Sequence, residues 1–122
     1  MAPVPRMSDR EEFPPPGKVA IERRDGMRIV SLQGEHDIST VDLVRERLGE
    51  AGVGGGVVIV DLVYAEFIDS SVAGALLEAY RRDQPPRMRF VAAPGTSPRA
   101  LFTVLGFDGC VPIFERLEDA LA

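Results

Sequence analysis

The sequence predicts an α/β domain in which an antiparallel hairpin opens a sheet otherwise built from parallel strand–helix–strand crossovers. Three observations carry this reading. Two segments that alternate apolar and polar residues flank Asp25-Gly26, a two-residue bend of the kind that closes a hairpin. Val57-Val58-Ile59-Val60 is an unbroken β-branched run, the composition of a central strand covered on both faces. The elements follow in the order ββαβαβαβα, and strands separated by helices of these lengths pair in parallel.

Residues 1–17 precede the pattern. They hold Pro3, Pro5, Pro14, Pro15 and Pro16, half of the ten prolines, and show neither a 2-residue nor a 3.6-residue apolar period, so they read as a disordered tail. The domain proper is expected over 18–122. Its first strand carries Val19 and Ile21, and its second runs from Met27 to Leu32 until Gly34-Glu35-His36-Asp37 breaks the alternation. A helix follows in which Val41, Val44, Leu48 and Ala51 form one apolar stripe, with Ser39 expected as its cap, Asp42 three residues on and Gly52 at its end. After the central strand and Asp69-Ser70-Ser71, the spacing predicts a helix from about residue 71 to 82, with Val72, Ala73, Leu76, Leu77 and Tyr80 turned inward and Pro85-Pro86 as its stop. Residues 88–92 form a further buried strand. Ser97-Pro98 supplies a cap and a first-turn proline to a third helix carrying Leu101, Phe102 and Leu105, closed by Gly106. A short extended segment, 111–114, and a last helix, 115–121, complete the chain.

Bulk properties exclude several function classes. With 122 residues the chain builds one core and leaves little room for both a substrate pocket and a cofactor fold. A formal charge of −5 opposes phosphate backbones and anionic lipid surfaces, so neither nucleic acid nor membrane is an expected partner. No apolar run approaches the roughly 18 residues of a membrane span, and the N-terminus lacks the layout of a signal peptide, so a cytoplasmic location is expected. Cys110 as the sole cysteine and His36 as the sole histidine allow no internal disulfide and no Cys/His zinc cluster, and no cofactor is implied.

Few residues remain to carry chemistry. Gly52-Val53-Gly54-Gly55-Gly56 follows a helix and precedes a strand, the reverse of a phosphate-binding loop, and reads as a connector. His36 between Glu35 and Asp37 can be drawn as an acid–base cluster, but no nucleophile motif accompanies it, and an exposed polar residue is the expectation. Cys110 reads as a small buried residue. Asp69-Ser70-Ser71 is more informative, because it stands where a loop becomes a helix. A serine there either caps the helix by accepting its free N–H groups, at about 1 kcal/mol, or offers an exposed hydroxyl for phosphorylation, which adds about two negative charges beside Asp69.

Leu32-Gln33-Gly34-Glu35-His36-Asp37 with Ser39-Thr40, then Phe67-Ile68-Asp69-Ser70-Ser71 ahead of Ala73-Gly74-Ala75-Leu76-Leu77, together resemble the STAS domains, in particular the bacterial anti-sigma factor antagonists. Residues 57–62, Phe90-Val91-Ala92-Ala93, Arg99-Ala100-Leu101-Phe102 and Leu105-Gly106-Phe107 extend the match across about 18–122 in order. The resemblance implies a four- to five-stranded mixed sheet with about four helices packed mainly on one side. It also implies a partner-switching role. The unphosphorylated protein binds an anti-sigma factor that is also a serine kinase and so frees a sigma factor for transcription. Phosphorylation ends that binding, and a phosphatase restores it. Carried over, the phosphoacceptor is Ser70, and Asp37, Ser39, Thr40, Asp69, Ser71 and Val72 join it in the partner-binding face. Two departures stand out: Val72 where glycine is frequent, a β-branched side chain expected to narrow a kinase's approach, and His36 where an aliphatic residue is common. Val72 motivates an alternative, a constitutive scaffold of the same fold serving a transporter or signalling assembly. A small enzyme or nucleotide-binding protein built on the Gly52–Gly56 glycine run and Glu35-His36-Asp37 is the third reading. The sequence leaves the oligomeric state unassigned.

Overall fold

The computed structural model describes residues 17–83 and 87–122. The expected disordered tail, except Gly17, and the Pro85-Pro86 helix stop lie outside the described residues. Strands β1 (Lys18–Arg24) and β2 (Met27–His36) form the hairpin, and Asp25 and Gly26 both take positive φ, 54° and 79°, the backbone that a tight bend between right-twisting strands requires. A 3-10 turn (Ile38–Thr40) leads into α1 (Val41–Gly52), followed by β3 (Val58–Asp61), β4 (Ala65–Ile68), α2 (Ser70–Arg82), β5 (Met88–Val91), α3 (Ser97–Val104), β6 (Ile113–Phe114) and α4 (Leu117–Leu121).

The sheet has six strands rather than four or five, in the order β1-β2-β3-β5-β6, with β4 joined to β2 outside this path. No separate strand is expected from sequence between the central run and Asp69, because four residues of strand carry too short an alternation to be recognised. β2 is long enough to serve two partners. Its first half pairs in parallel with β3, and its last residues pair in parallel with β4, His36 opposite Ile68, across a register shift between Gly34 and Glu35. Gly34, at φ 84°, supplies the left-handed backbone at that shift, so the strand expected from sequence to end at residue 32 bends and continues.

Alternation along the strands divides the core. Val30, Leu32, Val58, Val60, Met88 and Phe90 face α1, α2 and α3, while Ile29, Ile59 and Val91 face Ala120 of α4. Three helices on one face and one short helix on the other agree with the expected packing. Phe102 anchors the larger side, stacked on Phe107 at 4.7 Å between centroids and edge-on to Phe90 at 6.0 Å. Asp61, at the end of β3, is buried on the other face. Its carboxylate accepts the Val63 N–H at 3.0 Å, and burial pushes it above the usual carboxylate range.

Several caps fall one or two residues from their expected places. Asp37, not Ser39, caps the turn before α1, and Thr40 precedes α1 without a side-chain cap. Thr96, not Ser97, caps α3 by accepting the Arg99 N–H. Cys110 is exposed rather than buried, because it sits on the outside of the turn between α3 and β6.

Candidate functional site

Two short turns make the site, and each is built the same way. At the end of β2, Asp37 Oδ1 accepts the Ser39 N–H at 2.9 Å and the Ser39 hydroxyl at 2.5 Å. At the start of α2, Asp69 Oδ1 accepts the Val72 N–H at 3.1 Å and the Ser71 hydroxyl at 2.6 Å. In both, an aspartate takes up backbone donors that helical geometry leaves free, and the serine two residues on holds the carboxylate in place. The β2–β4 pairing sets the turns side by side, and the Asp69 N–H donates to the His36 carbonyl at 3.1 Å.

Ser70 stands at the first position of α2 and is exposed. The capping that sequence reading offered to a serine hydroxyl falls to Asp69 instead. Ser71 is engaged with Asp69, whereas no described residue is hydrogen-bonded to the Ser70 hydroxyl. The arrangement thus separates a structural serine from a free one.

Asp37 and Ser39 are also exposed, and the Ser39 hydroxyl, followed by the Ser39 N–H, holds the Asp37 carboxyl below the usual carboxylate range. Thr40 and Val72 are different: both are buried, at 4% and 0% exposure. The expectation that Val72 narrows approach to Ser70 is therefore corrected, since helical phase turns its side chain into the core. His36 is likewise corrected from exposed to fully buried, as the last residue of β2 with its imidazole under the turn.

Ile38, 71% exposed, and Phe67, 44% exposed, flank the two turns. Ile38 belongs to no motif read from the sequence and Phe67 enters only as the first residue of Phe67–Ser71, without a contact role; the available signal was a large apolar residue in or beside each motif, outside any buried stripe. The site thus combines a free hydroxyl, two oriented carboxylates and exposed apolar surface, a combination suited to protein contact. No group of three His, Cys, Asp or Glu side chains able to hold a metal occurs among the described residues. The Gly54-Gly55-Gly56 loop lies at the other end of the domain, where Arg28 donates to the Gly55 carbonyl at 3.0 Å and all three glycines take positive φ.

Residues 18–120 match the STAS domain family. The chain belongs to that family. This STAS domain is similar to an anti-sigma factor antagonist from Mycobacterium paratuberculosis, with 25% identity and a TM-score of 0.78 over 86% of this chain and 91% of that one. SpoIIAA of Bacillus in its phosphorylated form (22% identity, TM-score 0.63, 85% and 96% covered) shares the fold. So does an anti-sigma-factor antagonist domain protein from Planctomyces limnophilus (18% identity, TM-score 0.67, 84% and 94% covered). No curated protein sequence matches the chain. Among the described residues no helix is long and apolar enough to cross a membrane.

Proposed function

We propose that this STAS domain is an anti-sigma factor antagonist whose binding to a kinase-type anti-sigma factor is switched off by phosphorylation of Ser70. The observation that carries the reading is the exposed Ser70 hydroxyl, unengaged beside an Asp69 already committed to capping. In the binding state, Ile38 and Phe67 supply apolar contact and Asp37 and Ser39 supply oriented polar groups. Phosphoryl transfer joins the Ser70 oxygen to the γ-phosphorus of ATP, releasing ADP and the hydroxyl proton. The N-terminus of α2 tolerates the new charge, but the dianion crowds Asp69 and Asp37 and must be desolvated by any partner pressed against the face. Hydrolysis by a phosphatase returns serine and inorganic phosphate. The function is regulatory, exercised in the cytoplasm on transcription, rather than enzymatic.

The scaffold alternative rested on Val72, and a side chain buried in the core gives it no support. The test is an in vitro reaction with the cognate anti-sigma kinase and ATP, read by intact-mass and peptide mass spectrometry. One phosphate at Ser70 is expected, absent from Ser70→Ala; phosphate elsewhere, or none, contradicts the proposal.

A further inference from the structure

We propose that His36 is the positioning residue of the docking face, acting through Thr40 on the turn that carries Asp37 and Ser39; this rests on the function proposed above. The imidazole is fully buried, and each nitrogen has a partner. Nε2 lies 3.2 Å from the Lys18 carbonyl and 3.1 Å from the Gln33 carbonyl. Carbonyl oxygens only accept, so Nε2 carries a proton. On the other side of the ring, Nδ1 lies 2.9 Å from Thr40 Oγ1, within hydrogen-bonding distance of the hydroxyl. The Thr40 hydroxyl donates to the Asp37 carbonyl at 3.2 Å, so Thr40 links the imidazole to the backbone of the turn.

One side chain thereby ties together the start of β1, the bend in β2 and the 3-10 turn, while its own carbonyl receives the Asp69 N–H. Gly17 packs against it so closely that a Cβ there would stand 2.3 Å from Nε2 and 2.5 Å from the Glu35 carbonyl. An aliphatic residue at position 36 fills the same space without these tethers. The histidine thus fixes where the Asp37 turn sits relative to Ser70, through directional bonds rather than packing alone.

The test compares Thr40→Val, which keeps the shape and loses the hydroxyl, with Thr40→Ser, which keeps the hydroxyl. Thr40→Val is expected to bind the cognate anti-sigma kinase about tenfold more weakly and Thr40→Ser within about threefold of wild type. Equal binding by both variants and wild type, with Ser70→Asp still abolishing it, overturns the positioning role and leaves the switch standing. If Ser70→Asp and Ser70→Ala bind alike, the switch fails instead. The positioning role is then read without a partner, from amide shifts that change in both turns for Thr40→Val; changes confined to residue 40 overturn it. Should Thr40→Val not fold, the sole histidine lets nitrogen NMR of the wild-type protein decide. Nε2 is expected to carry a proton, donated to the Lys18 and Gln33 carbonyls; an unprotonated Nε2 overturns the proposal.

Discussion

The Asp69 N–H donates to the His36 carbonyl at 3.1 Å, so the residue that caps α2 is held directly by the residue that ends β2. The cap therefore does two jobs. Asp69→Ala removes the acceptor for Val72 N–H and frees Ser71, and is expected to lower unfolding stability by about 1 kcal/mol, within the usual range for a lost cap. Asp69→Asn, which keeps a capping oxygen, should retain most of it. Chemical denaturation checks both, and an unchanged midpoint for Asp69→Ala contradicts this role.

Asp37 makes folding depend on acidity in a defined direction. Its carboxyl is held below the ordinary value of 3.8 by the Ser39 hydroxyl and N–H. A depressed carboxylate contributes stability that is present above the ordinary value and lost as pH falls through the folded one. Asp37→Asn should accordingly be less stable than wild type at neutral pH, with the gap closing on acidification. Thermal melts of both proteins at neutral and acidic pH read the gap; a gap that widens in acid contradicts the assignment.

Asp61 has the opposite sign. Burial raises its carboxyl, so the charged form costs stability as pH rises through the folded value, and the contribution is favourable only below the ordinary one. Asparagine keeps an oxygen for the Val63 N–H without the charge. Asp61→Asn is expected to raise the melting temperature at neutral pH and to lose that advantage in acid. A variant less stable than wild type at neutral pH would falsify this account of Asp61.

Phe102 tests the packing that supports α3. It is fully buried and in ring contact with Phe90 and Phe107, so Phe102→Ala removes a whole buried ring and leaves a cavity in its place. The expected loss is about 3–5 kcal/mol by denaturation, against less than about 1.5 kcal/mol for a conservative large apolar replacement such as leucine with repacking.

Much of this was legible beforehand because the dominant signals are local. The Asp25-Gly26 bend, the run at residues 57–60 and the stripe of Val41, Val44, Leu48 and Ala51 each state their structure within a few residues. What escaped was set by tertiary pairing. β4 exists because β2 bends at Gly34 and offers a second edge, and nothing in residues 65–68 alone announces that. His36 looked exposed between two acids, yet alternation resumes after the bend and turns it inward. In the site, the exposure of Ser70 followed from its place at a helix start, whereas the identity of the cap, Asp69 rather than a serine, depended on which oxygen reached the Val72 N–H.

The most direct measurement is titration calorimetry of the purified protein against its cognate kinase-type anti-sigma factor, comparing wild type, Ser70→Ala and Ser70→Asp. Binding by wild type and Ser70→Ala, with none detectable for Ser70→Asp, is the predicted result. Comparable affinity for all three contradicts a switch at this hydroxyl.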